Sequence, residues 1–256
     1  MNGTAVYAYA QARLQARQGM RPDESTWRTL ERSTNLAHLL RNARNSVLRE
    51  WILAFPASID AHRVELDLRH QYRQLVILVA GWLPRRWRPA VAWTRIFIAL
   101  PALEHLLKGE TALAWMLEDP DLRPVAVMTP DARTRTQERS VYQPLLIARE
   151  GGEPLLRAWI RMWRGLWPTD SDAVLRHLNH LVHIIGASFR TLSEAPPATD
   201  SVAVLGSLEA SLELQFHRHS HQPATAVSYL ALTALDLLRL RGLLLRHILF
   251  DAARES

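Results

Sequence analysis

The chain has 256 residues, 48% of them hydrophobic, which suffices for one large core or two small ones and is too apolar for a disordered polymer. It has no cysteine, which excludes disulfides and thiolate chemistry, and its ten glycines are few for a barrel, a sandwich or a phosphate-loop enzyme. The formal net charge is +6, and Lys108 is the single lysine, so the basic character is carried by arginine. An arginine excess has two readings: a solvated surface set by codon bias, or bidentate contact with phosphate, anionic lipid or acidic protein. The arginines do not cluster into one run, which speaks against nucleic acid.

The opening residues, MNGTAVYAYAQAR, lack a basic segment followed by an apolar one, so no secretory leader is expected. The longest apolar runs, 75–83 and 229–250, are too short or carry Asp236, Arg239 and Arg241, so no membrane span is expected either. A cytoplasmic protein follows from that reading. Helical period dominates the chain and strand-like alternation is nearly absent, which predicts an all-α fold.

Residues 5–18 form the first predicted helix. Ala5, Ala8, Ala12 and Ala16 make a small-residue stripe that would let another helix approach closely, and Tyr9, Arg13 and Arg17 lie beside it at spacing four. Gly19 and Pro22 end this helix, and Asp23 or Ser25 caps the next, which is expected over 26–53 with Trp27, Leu30, Leu40, Val47 and Trp51 inward. A third helix should start at Ser58 or Asp60 and reach Trp82. The turn at 84–89, PRRWRP, places Trp87 among arginines, and with Trp82 and Trp93 it is a candidate interface or membrane-surface contact. A fourth helix is expected over 90–108, kinked by Pro101.

Proline and polar residues at 119–137 suggest a connection between an N-terminal lobe (1–118) and a C-terminal lobe (138–256), unless the two halves form one continuous domain. Helices resume at 153–166, 170–192 and 202–217, and a last one follows Pro223. On the last helix Leu230, Ala234, Leu237, Leu244 and Ile248 form a broad apolar face, extended by Leu238, Leu245 and Leu249. Asp236, Arg239 and His247 lie opposite. Arg241 projects from the apolar face itself, so it should snorkel or meet a carboxylate, either within the fold or on a partner.

Histidine chemistry is conceivable at two places. His217, His219 and His221 alternate after the penultimate helix and could hold zinc if Glu213 joined them, as a metal-dependent enzyme would require, but that spacing alone has low specificity. His177, His180 and His183 spread too widely around their helix for one metal. GGEP at 151–154 lacks the strand and lysine of a nucleotide loop, and no nucleophile elbow or carboxylate pair stands out. No catalytic residue, cofactor or metal is therefore assigned.

Tyr7, Tyr9, Ala12, Arg13, Ala16 and Arg17, with Gln11 where an asparagine is typical, resemble the first helix of the central-stalk family of V-type and A-type ATPases, found in archaeal, bacterial and eukaryotic enzymes. The run from Tyr229 through Asp236 and Arg239 to Arg241 is similar to that family's late helix, and 94–110 is a fainter echo of its repeated helix. The resemblance implies an all-helical, non-enzymatic protein of two or three pseudo-repeated lobes, shortened here. Such a protein would link a rotor shaft to a membrane ring and be peripheral to the membrane through those partners. It implies basic roles for Arg13, Arg17, Arg239 and Arg241. The other reading open at this point is a stand-alone arginine-rich adaptor for an anionic membrane, an acidic protein or nucleic acid, with binding that falls steeply with salt.

Overall fold

Two long helices, α5 (Ala61–Trp82) and α14 (Pro223–Glu255), form the axis around which the other elements gather. The computed structural model describes residues 3–56, 58–127, 140–194 and 201–255, and among these no strand occurs. The fold is an all-α multi-helix assembly.

α1 (Gly3–Gln18) packs on both long helices, but through a different face from the one expected. Ala10, Gln11 and Leu14 are buried, whereas Ala8, Ala12 and Ala16 are exposed; the side chain of Ala5 lies outside the described residues. Leu14 with Ala10 removes more apolar surface from water than a row of alanines, and burial scales with that area. Buried Gln11 is satisfied because its Oε1 accepts the backbone N–H of His221 at 3.0 Å.

The segment expected as one helix over 26–53 is three: α2 (Glu24–Glu31), α3 (Leu36–Arg44) and α4 (Arg49–Ile52). Asp23 caps α2, accepting from Thr26 N at 2.8 Å, and Asn35 caps α3, accepting from His38 N at 2.9 Å. Asn35 and Ser46 offer the backbone local hydrogen bonds that compete with a continuous helix. α5 begins where expected, with Asp60 accepting from Arg63 N at 2.7 Å, and it buries Val64, Leu68, Tyr72, Val76 and Val79.

The expected 90–108 helix is also divided. A 3-10 turn at Arg85–Trp87 leads into α6 (Arg88–Trp93), a 3-10 stretch at Thr94–Ala99 and α7 (Leu100–Leu107). Pro89 and Pro101 sit in the first turns of α6 and α7, where a missing N–H costs nothing, and Arg88 and Leu100 before them keep α geometry. By length and hydropathy Arg85–Leu107 would suffice to cross a membrane, but half of that window is buried inside the protein.

After α8 (Ala114–Glu118) and α9 (Arg123–Ala126) come α10 (Gln143–Glu150), α11 (Leu155–Gly165), α12 (Asp172–Glu194) and α13 (Ser201–Arg218). The first part of the expected 119–137 connection is packed, since Asp119, Leu122 and Val125 are buried; 128–139 lie outside the described residues. The buried side chains before and after this point form one continuous cluster. Trp163 Nε1 on α11 donates to Ala90 O at 2.9 Å, and Tyr72 Oη on α5 donates to Leu230 O on α14 at 3.2 Å.

Candidate functional site

α14, together with α5, α11, α12 and α13, borders a half-open cavity of about 440 Å³. Phe97, Trp159, Phe189, Leu212, Leu230 and Ala234 supply much of its surface. The polar side chains in its lining are Glu65, Arg69, Tyr72, Thr94 and Arg241. Two of these are satisfied inside the fold: Tyr72 Oη donates to Leu230 O, and Thr94 Oγ1 donates to Val91 O at 2.7 Å. Burial pushes the Tyr72 phenol well above its ordinary range, so it stays a neutral donor.

Glu65, Arg69 and Arg241 form the charged corner. Arg241 reaches Glu65 through Nε and Nη2, and Arg69 Nε donates to the other oxygen of Glu65 at 3.1 Å. Arg69 also donates to Ile98 O at 2.5 Å and lies over the Trp115 ring, 4.4 Å from its centroid. Desolvation pulls the Arg69 guanidinium below its ordinary pKa, Glu65 opposes this, and the Arg241 charge adds to it. The carboxylate for Arg241 is thus within the fold, although its guanidinium side chain remains 38% exposed.

The polar side of α14 holds two further clamps. Asp236 pairs with Arg21, which also reaches Glu209 at 2.8 Å and Glu213 at 3.0 Å on α13. Arg239 meets Glu31 at 2.6 Å and Glu24 at 3.2 Å, and lies over Trp27, so α2 is fastened to α14. A third cluster stands away from α14: Arg73 grips Asp119 through two nitrogens (2.5 and 2.9 Å) and Asp121 at 2.8 Å. Asp119 is held below the usual carboxylate range; burial works against this, and the Arg73 hydrogen bonds and charge outweigh it.

The other residues singled out in the sequence are placed as follows. Arg13 lies over the exposed Tyr9 ring (4.7 Å) and over Trp82 (5.4 Å), while Arg17 faces Glu50 at 3.7 Å. Trp87, expected as a candidate interface or membrane-surface contact, is a core side chain at 1% exposure whose Nε1 donates to Asp170 at 3.2 Å. Trp82 is buried as well, and Trp93 donates from Nε1 to Trp159 O at 3.3 Å. The arginines of the 84–89 turn kept the ring from reading as core, yet Arg86 itself turns to Asp170 at 2.8 Å.

His217 lies in the last turn of α13 and His221 in the turn before α14. His219 stacks on His177 with ring centroids 3.7 Å apart, and Gln215 and Gln222 hydrogen-bond the two rings at 2.9 and 2.7 Å. Glu213, the proposed fourth ligand, is engaged by Arg21. Among the described residues no three His, Asp or Glu side chains gather in a metal-holding group.

Sequence reasoning missed Arg21, Glu65, Arg69 and Arg73. Glu65 and Arg69 carried a usable sign, a carboxylate and a guanidinium four apart on the inward side of a helix. Arg21, between a helix end and Pro22, carried none. Compared with known proteins, the chain matches no family model, no curated protein and no solved structure.

Proposed function

We propose that this chain is a non-catalytic helical docking protein that couples parts of a membrane-associated complex, in the manner of the V/A-type ATPase component that joins rotor shaft to membrane ring. One observation carries this reading. α14 presents Leu238, Leu245 and Leu249 along a single face, with Leu238 45% and Leu249 60% exposed, on a helix that ion clamps hold to the body. These residues fall at spacings of seven and four, which is the seam a partner helix would pack into. Exposed large apolar residues aligned this way mark interaction surfaces, and Phe250, on a neighbouring face, is exposed as well. On α1 the exposed Ala8, Ala12 and Ala16 offer a second flat face.

The stand-alone polyanion adaptor has less support. Arg21, Arg73 and Arg239 already meet carboxylates within the fold, and a guanidinium so engaged has little left for phosphate. The protein would work on the cytoplasmic side, held to the membrane through its partners. Affinity purification of the tagged chain from detergent-solubilised native membranes tests the reading. Rotor shaft and ring proteins should co-purify and should be lost from the double variant Leu238→Glu, Leu249→Glu. A chain recovered alone, in its wild-type form, would refute the proposal.

A further inference from the structure

The geometry points to the cavity behind α14 as a binding site for one long-chain carboxylate, a fatty acid, with its tail inside and its headgroup on Arg241. The volume, about 440 Å³, falls within the roughly 300–1,000 Å³ of small-molecule sites. Its lining is apolar except at one corner, which suits an amphiphile with a single polar end. Phe97, Trp159, Phe189, Leu212 and Ala234 would line the tail. The hydroxyls of Tyr72 and Thr94 are spent on backbone carbonyls, and among the lining side chains outside the charged corner the indole N–H of Trp159 is buried without a hydrogen-bond partner.

Charge selects the headgroup. Two guanidiniums, Arg69 and Arg241, share the one carboxylate of Glu65, which leaves the lining with a surplus positive charge beside apolar surface. Arg73, Asp119 and Asp121 bind one another outside the lining and carry a net charge of −1, and Asp119 acts on Arg69, so the positive charge left for a ligand is that of Arg241. Arg69 is further occupied by Ile98 O, while Arg241 stands 38% exposed next to the exposed Leu238, where a headgroup would enter. A single anionic head balances this corner. A neutral head would leave the surplus uncompensated, and a cationic one would double it.

Leu238 belongs both to the cavity lining and to the proposed seam, but palmitate binding is read on the isolated chain, so its failure and the failure of the docking role are distinguishable. The test uses the delipidated full-length chain and three probes of equal tail length: palmitate, hexadecanol and hexadecylamine, followed by calorimetry and native mass spectrometry. One palmitate per chain is expected, bound about tenfold or more tighter than hexadecanol, with hexadecylamine weakest. Arg241→Gln should weaken palmitate about tenfold and leave hexadecanol unchanged. Ala234→Phe, which intrudes on the cavity and touches no ion pair, should weaken uptake of all three. Equal binding of the three probes would reveal an unselective apolar hole. No uptake of palmitate would leave the cavity to an inserted partner side chain. Palmitate binding unchanged in Ala234→Phe would place the ligand elsewhere. Each of these results overturns the inference, and the first two need no variant to fold.

Discussion

Arg21 and Asp236 meet through a two-pronged hydrogen bond, Nε to Oδ2 at 2.7 Å and Nη2 to Oδ1 at 2.9 Å, which ties the chain just after α1 to the middle of α14. Both side chains are more than nine-tenths covered. One guanidinium here serves three carboxylates, because Glu209 and Glu213 reach it as well. Desolvation, reinforced by those two acids and opposed by Arg21, pushes Asp236 up from 3.8 to about 6.

The pH dependence follows from that shift. A folded-state pKa above the unfolded one means that the native state holds the extra proton, so this group's stabilisation is fully present below about 3.8 and is lost as pH rises through about 6. Asp236→Asn should therefore flatten the stability profile between these values. Urea unfolding of both proteins at several pH values measures this, and identical pH slopes would show that Asp236 does not titrate in this window.

Arg73→Ala should be among the most destabilising changes. It strands buried Asp119 without its partner, and breaking a buried pair in this way costs about 3–5 kcal/mol. The depressed pKa of Asp119 means that its contribution is present above the ordinary carboxylate value and fades as pH falls through the folded one. The penalty should accordingly shrink in acid. A loss under about 1 kcal/mol at neutral pH by chemical denaturation would contradict this account.

His219 acts in the opposite sense to Asp236. Burial first, then the neighbouring His177, His180 and Arg218, lowers its pKa below 6.5, so the native state favours the neutral ring. Stability from this site is present above 6.5 and is lost as pH falls through and below that value, when the stacked rings would repel. His219→Asn should blunt the fall in melting temperature between neutral and mildly acidic pH. An unchanged fall would exclude this pair as its source.

Trp163→Ala should cost about 3–5 kcal/mol, since the ring is buried and its Nε1 holds Ala90 O. Trp87→Phe keeps most of the apolar area and loses one hydrogen bond, so about 1 kcal/mol is expected. Leu249→Glu, on the exposed seam, should stay within about 0.5 kcal/mol of the parent. Thermal unfolding of the three variants gives the order, and a large loss for Leu249→Glu would make the seam part of the core.

Period and capping residues made α5, α12, α13 and α14 legible, because long helices repeat their pattern and Asp60 stands where a cap belongs. The breaks at Asn35 and Ser46 were less so, since local hydrogen bonding there outweighs an apolar pattern that runs on. On α1 the alanine spacing pointed to one packing face, and it is the packing against α5 and α14 that turns Ala10, Gln11 and Leu14 inward instead. Arg241 announced its need for a carboxylate, but Glu65 lies on α5, and no local rule links the two. The cavity was invisible for a similar reason. It arises where α5, α11, α12, α13 and α14 fail to fill the space between them, which no single helix encodes.

The place of α14 in the chain also governs when the fold can close. Residues 223–255 leave the ribosome after α1, α2, α3, α5 and α13, and they complete the packing of every one of these. Until then Leu14, Leu40, Leu68 and Leu212 have no α14 to cover them, and Arg21 faces Glu209 and Glu213 without Asp236. Folding that waits on contacts so distant in sequence is slow and leaves apolar faces open during synthesis. A nascent chain stalled before Pro223 should thus be sensitive to protease and held by chaperones, and translation of one further helix should end both.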